Sequence, residues 1–209
     1  MNEPTEMELK YLVKNYFDLS DLILYLRANG FEATNIKFVI NEDSYFDTPN
    51  KDLLKNGGSF RIRKTNKGSI KGTFKYPIDN NDVYTKRLEI EKILTENSFT
   101  ELINRFNNLQ YNLKSICPFP VLEINNHRQE ITLTKNKNCV IIAFDTVIYD
   151  NKALEHMLEI ELKEGSDPNI LIEIDRSVQE RFHLESTKQS KYQRGIEQTK
   201  LAILTRKHP

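Results

Sequence analysis

Along most of the chain, apolar and polar residues alternate at period two, the pattern of extended segments whose two faces meet different surroundings. Met7 and Leu9 alternate with Glu6, Glu8 and Lys10, and Phe60 and Ile62 alternate with Arg61 and Arg63. Leu88 and Ile90 alternate with Arg87, Glu89 and Glu91, and Ile160 and Leu162 with Glu159, Glu161 and Lys163. Four stretches break this rhythm. Between Ser20 and Asn29, Leu22, Ile23 and Leu26 recur at helical spacing and Gly30 supplies a stop; Ser98 to Leu109 repeats the theme with Phe99, Leu102, Ile103 and Phe106. Asp167 and Pro168 read as a cap followed by proline at the first helical position, opening a helix through Ile170, Leu171, Ile174, Val178 and Phe182. A last helical stretch, Gln189 to about Leu204, runs into a basic tail over residues 205–209, expected to fray.

Asn56-Gly57-Gly58, Asn66-Lys67-Gly68 and Asp79-Asn80-Asn81-Asp82 are turn material between strand-like runs, and no long linker or low-complexity tract interrupts them. Strands outnumber helices and are joined mainly by short turns. This predicts an antiparallel sheet or barrel with helices packed outside it, as one domain over residues 1–209.

Composition narrows the classes of function. Lys plus Arg and Asp plus Glu each total 30, so no global field favours nucleic acid or an anionic membrane, and any anion site must come from a local cluster. Cys117 and Cys139 lack CxxC spacing, which argues against a disulfide framework or a zinc site and fits a reducing compartment. The chain opens on Glu3, Glu6 and Glu8 rather than a basic then apolar stretch, and its longest apolar run, Cys139 to Phe144, is too short to span a bilayer. A soluble cytoplasmic protein is expected.

The charged faces point to chemistry. Glu-x-Glu recurs in three strand-like segments and Arg-x-Arg in a fourth, while Lys71 and Lys75, with Thr73 between them, make a second purely cationic face on a fifth. Any one of these alone reads as a solvated outer face. Together they are sorted by charge type, and like charges two residues apart on one face repel, a cost that a bound counter-ion removes. Paired glutamates ask for a metal and paired arginines ask for phosphate. If the charged parity faces a barrel interior, the apolar parity must be covered by the amphipathic helices. A water-filled, open-ended lumen then best tolerates the enclosed charge.

These residues resemble a known family, the CYTH domain proteins or triphosphate tunnel metalloenzymes. Glu6-Met7-Glu8-Leu9-Lys10 is similar to the family's ExExK signature. Tyr45-Phe46-Asp47-Thr48-Pro49, Leu53-Leu54 and Phe60-Arg61-Ile62-Arg63 resemble its YxDT…L…LRxR block. Lys75, the RxExE strand Arg87 to Glu91, Arg128, Asp145, Glu159-Ile160-Glu161 and Ser190-Lys191-Tyr192 follow in order, so the likeness covers roughly residues 5 to 195. Tyr76 stands where the family commonly has glycine, and Asn126-His127-Arg128 replaces a more basic run. The resemblance implies an α+β fold, a closed eight-stranded antiparallel β-barrel with helices packed outside. It implies that Glu6, Glu8, Asp145, Glu159 and Glu161 hold a divalent metal, magnesium or manganese. Lys10, Arg61, Arg63, Lys75, Arg87, Arg128 and Lys191 would bind phosphate, and Glu89 and Glu91 would bind a second metal or orient water. Glu6, Glu8 and Lys10 would be catalytic.

The activity implied is metal-dependent hydrolysis of a small-molecule triphosphate, with no nucleic acid or membrane partner and a monomer or homodimer as the working form. A class IV adenylate cyclase, making cyclic AMP and pyrophosphate from ATP, is the alternative, and a non-catalytic nucleotide- or polyphosphate-binding module the next. His127, His156, His183 and His208 show no ligand spacing and read as surface or structural residues. Tyr45, Phe46, Phe60 and Phe74 read as packing aromatics, and Asp47 as a cap for backbone groups.

Overall fold

The structure is a computed structural model that describes residues 5–14, 16–80, 83–94 and 116–206. Its strands are β1 (Thr5–Val13), β2 (Glu32–Ala33), β3 (Lys37–Phe46), β4 (Ser59–Thr65), β5 (Ile70–Asn80), β6 (Thr85–Ile93), β7 (Leu122–Lys135), β8 (Asn138–Tyr149), β9 (Leu154–Leu162) and β10 (Glu185–Ser186). The long strands pair antiparallel in the order β1-β6-β5-β4-β3-β7-β8-β9, and β9 returns to β1. The result is a closed eight-stranded antiparallel barrel with helices outside it, the α+β architecture expected. β2 and β10 extend it on β7 and β1. Closure runs through β1, which pairs with β6 over Thr5 to Glu8 and with β9 over Glu8 to Val13. Glu8 therefore lies opposite Thr85 on one side and Glu161 on the other.

Strand alternation sorts the two faces. Leu9, Tyr11 and Val13 of β1 and Leu158 and Ile160 of β9 turn outward into one buried cluster with Leu22, Ile23 and Leu26 of α1 (Leu19–Ala28). Ile170, Leu171, Ile174 and Val178 of α3 (Asn169–Phe182) complete it, with α2 (Asp52–Lys55) lying elsewhere on the barrel. Each of these fully buried aliphatic side chains contributes about 1.5–3 kcal/mol relative to exposure. The intervening residues Glu6, Glu8, Lys10, Glu159 and Glu161 turn inward.

Local chemistry sets the helix ends. Asp18 accepts from the Ser20 amide at the start of α1, which ends with Gly30 at φ 87. There the Phe31 amide donates to Leu26 O and the Gly30 amide to Arg27 O, the paired bonds that close a helix on a left-handed glycine. Pro168 is helical (φ −56, ψ −22) and Asp167 accepts from the Asn169 amide, the cap and proline read from the sequence. His183 ends α3 in the left-handed region, and His156 stacks on Phe144, both structural placements. The stretch Ser98 to Leu109 lies outside the described residues.

Helix α4 (Lys191–Arg206) begins with a reciprocal cap: the Gln193 amide donates to Ser190 Oγ, and Gln193 Oε1 accepts from the Ser190 amide. This cap places Lys191 in the first turn, beside the barrel end. Tyr192 follows, stacked on Tyr45 at 5.3 Å and donating to Asp47 Oδ2 at 2.8 Å. Asp47 also accepts from the amides of Thr48, Leu53 and Leu54, so it ties α2 to α4 as a backbone cap. Further along α4, a Cβ on Gly195 would stand 2.9 Å from the Tyr149 ring and closer still to Leu122, which is why this helix approaches β7 and β8 without a side chain there.

Candidate active site in the barrel lumen

The lumen is a cavity of about 610 Å³ lined mainly by charged and polar groups. Of the residues the sequence nominated, Glu6, Glu8, Lys10, Arg61, Arg63, Lys75, Arg87, Glu89, Glu91, Arg128, Glu159, Glu161 and Lys191 all line it. Asp145 does not. Its side chain is fully buried behind the wall, where Arg128 bonds it through Nε and Nη2 at 2.7 and 2.6 Å. Lys191 Nζ at 2.8 Å and Asn126 Nδ2 at 3.1 Å fill the remaining positions. The structure therefore places Asp145 as the anchor of two lumen cations.

A second anchor lies on β3, across β7 from Asp145, and escaped the sequence reading. Asp43 on β3 faces Arg63 across the β3–β4 ladder, with its carboxylate sealed from solvent. Arg63 grips it through Nε at 2.6 Å and Nη2 at 2.7 Å, and Arg61 Nη1 approaches at 3.5 Å. Burial opposes its ionisation, yet Arg61 and Arg63 hold the Asp43 carboxyl below its usual range. Both guanidiniums keep a face toward the lumen. Lys71, Glu130 and Lys163 also line the cavity and were not nominated. Each shares a strand face with a nominated residue two or four positions away, Lys75, Arg128 or Glu161, the one signal that could have found them.

On β1 two glutamates sit two residues apart and differ in protonation. Burial pushes Glu6 up to about 7, against the pull of Lys75. Burial acts the same way on Glu8, but Lys10 and Arg87 overcome it and hold that carboxyl at about 2. Glu159 is likewise held well below the ordinary range by Lys191, Lys10 and Arg128 despite its burial. Neighbouring carboxyls driven apart in this way are typical of sites doing proton or metal chemistry.

The Glu6 shift has a definite sign. Between about 4.5 and 7 the folded chain retains a proton that the unfolded chain has released, so this group's contribution to stability falls as pH rises through that window. Glu8 acts oppositely, its contribution being present above 4.5 and lost as pH falls toward 2. Urea unfolding in metal-free buffer at several pH values is expected to show Glu6→Gln gaining on the wild type as pH rises from 4.5 to 7. A pH-independent difference between the two proteins would rule this out.

The oxygen donors suit a hard divalent cation. Glu6 Oε2 is buried without a hydrogen-bond partner, and Glu8 and Glu161 are directly opposed like charges across β1 and β9. Among the described residues no three such side chains form a ready-made metal cluster. Among the described residues no helix is long and apolar enough to cross a membrane.

The architecture has known counterparts. A protein of Pyrococcus horikoshii OT3 superposes with a TM-score of 0.60 at 23% identity, covering 92% of this chain and 99% of its own. A candidate adenylate cyclase of Bacillus halodurans gives 0.61 at 15% identity, over 93% and 98% of the two chains. A Hippeastrum protein, studied as a candidate adenylyl cyclase and described as having a dominant triphosphatase activity, gives 0.62 at 12% identity, over 92% and 95%. At these identities the likeness establishes the fold. No curated protein sequence matches the chain. The family model for the CYTH domain, however, matches residues 4–196, so a barrel closed around sorted charges belongs here to a chain that is a member of the CYTH domain family.

Proposed function

We propose that the lumen binds a linear triphosphate together with magnesium or manganese and hydrolyses its terminal phosphoanhydride bond. The observation that carries this reading is one cavity in which arginines and lysines of β4 and β5 face the carboxylates of β1 and β9. Arg61 and Arg63, anchored by Asp43, offer planar donors to phosphate oxygens, while Lys10, Lys75 and Lys191 offer point charges. Arg87 and Arg128 extend the cationic wall, the latter oriented by Asp145.

Phosphoryl transfer requires little covalent work from a protein; it requires the phosphorus in line with its nucleophile and the developing charge neutralised. A bound divalent ion would supply charge neutralisation across the phosphate oxygens. Glu6, Glu8, Glu159 and Glu161 would hold it, and Glu89 and Glu91 remain to orient water or a second ion. Water adds to the terminal phosphorus, the bridging P–O bond breaks, and orthophosphate leaves with the shortened chain.

The test is a panel of tripolyphosphate, thiamine triphosphate and ATP with magnesium or manganese, read as released phosphate and by chromatography of the ATP products. Metal-dependent phosphate release that a chelator abolishes is expected. Cyclic AMP with pyrophosphate would replace hydrolysis by cyclisation, and tight binding without turnover would make the lumen a sensor.

A further inference from the structure

The lumen's cations and carboxylates are paired with one another. Lys10 Nζ lies 2.8 Å from Glu8 Oε1, Lys191 Nζ lies 2.6 Å from Glu159 Oε1, and Lys75 Nζ bonds Glu6 Oε1. Each pair joins two groups that line the same cavity, and the glutamates involved are the ones placed to meet a cation. Arg61 and Arg63 differ in that Asp43, their partner, stands outside the lining, as does Asp145, the second partner of Lys191.

This arrangement penalises either ligand alone. A bare polyanion reaching Lys10, Lys75 and Lys191 must displace Glu8, Glu6 and Glu159, leaving Glu6 without a cation and Glu8 and Glu159 with only Arg87 at 3.4 Å and Arg128 at 2.7 Å, beside new negative charge. A bare cation taking those carboxylates leaves Lys10 without its closest partner and Lys75 and Lys191 with only Glu89 at 3.4 Å and Asp145 at 2.8 Å, three ammonium groups beside new positive charge. Arriving together, the two satisfy both sets, and the phosphate oxygens complete a coordination shell that the described side chains do not close. We propose that Glu6, Glu8 and Glu159 act as internal competitors for the lysines, so that the lumen admits an oligophosphate as its metal chelate and excludes the free polyanion. The inference rests on the triphosphate reading of the lumen, and the coupling it describes is reciprocal: each ligand raises the affinity for the other.

The consequence runs against intuition, since neutralising a metal-binding carboxylate should improve binding of the metal-free anion. Calorimetric titration of imidotriphosphate, whose P–N–P bridges resist hydrolysis, into the full chain with chelator or with magnesium tests it. The proteins are wild type, Glu159→Gln and Glu6→Gln, each confirmed folded by its melting transition. In chelator both variants are expected to bind the anion about tenfold tighter or more than wild type, from removal of one nearby like charge. Their additional gain from magnesium is expected to shrink. Variants that bind the free anion no better than wild type overturn the inference while leaving the site reading intact. Absence of binding to wild type in either buffer overturns both. If Glu159→Gln does not fold, Glu6→Gln decides, since its carboxylate pairs with Lys75 alone among the cations.

Discussion

Replacing Glu8 by glutamine is expected to lower metal-dependent phosphate release by about 10²–10³-fold, the range for loss of one preorganised charge at a reacting centre. Glu8 is 4% exposed and sits where β1 hands its pairing from β6 to β9. Lys10 and Arg87 keep it ionised throughout the neutral range, and Glu161 lies directly opposite. Glutamine preserves the shape and removes the charge. Folding should survive, because Lys10 retains Glu159 at 3.8 Å and Arg87 retains the Lys188 carbonyl. Rates at saturating tripolyphosphate, beside a melting curve within a few degrees of wild type, separate chemistry from stability. An unchanged rate in the folded variant would count heavily against a carboxylate role in turnover.

The second large effect concerns stability. Asp145→Ala removes the fully buried carboxylate that neutralises Arg128 and Lys191, leaving two buried cations to share Glu159. Breaking a buried pair from one side costs about 3–5 kcal/mol, because the surviving charge is neither solvated nor paired. For a chain of this length that lowers the melting temperature by on the order of 10 °C. Differential scanning calorimetry checks it, with Asp145→Asn expected to fall between the two by keeping one acceptor oxygen without the charge. A melting temperature matching wild type would show that the Arg128 and Lys191 contacts carry no net stability.

Much of the fold was legible because its determinants are local. Period-two alternation on β1, β4 and β9 named the inward face, and on β6 it named Arg87, Glu89 and Glu91 but not Ile90, since successive strand side chains point to opposite faces whatever the strand pairs with. The Asp167-Pro168 start of α3 and the Gly30 stop of α1 were equally readable, being set by side chains a few positions apart. Asp43 was not. It lies in Asn41-Glu42-Asp43-Ser44, polar on both faces, so alternation cannot say which side faces in. Only the register that sets it against Arg63 assigns its work. Asp145 presents the converse case. Its residue type suits a metal ligand, yet the neighbours that decide its role come from β7 and from the first turn of α4, far away in the chain.

By itself the sequence determined which residues are charged, which face of each strand they share and where the helices to cover the other face begin and end. These follow from backbone geometry over a few residues. The tertiary structure alone decided which charges meet: that Lys75 bonds Glu6, that Lys191 joins Asp145 to Glu159, and that Glu8 opposes Glu161. Closing a barrel brings strands together in an order and register that no local pattern encodes. Electrostatic partnership depends on that distance in space rather than on separation along the chain.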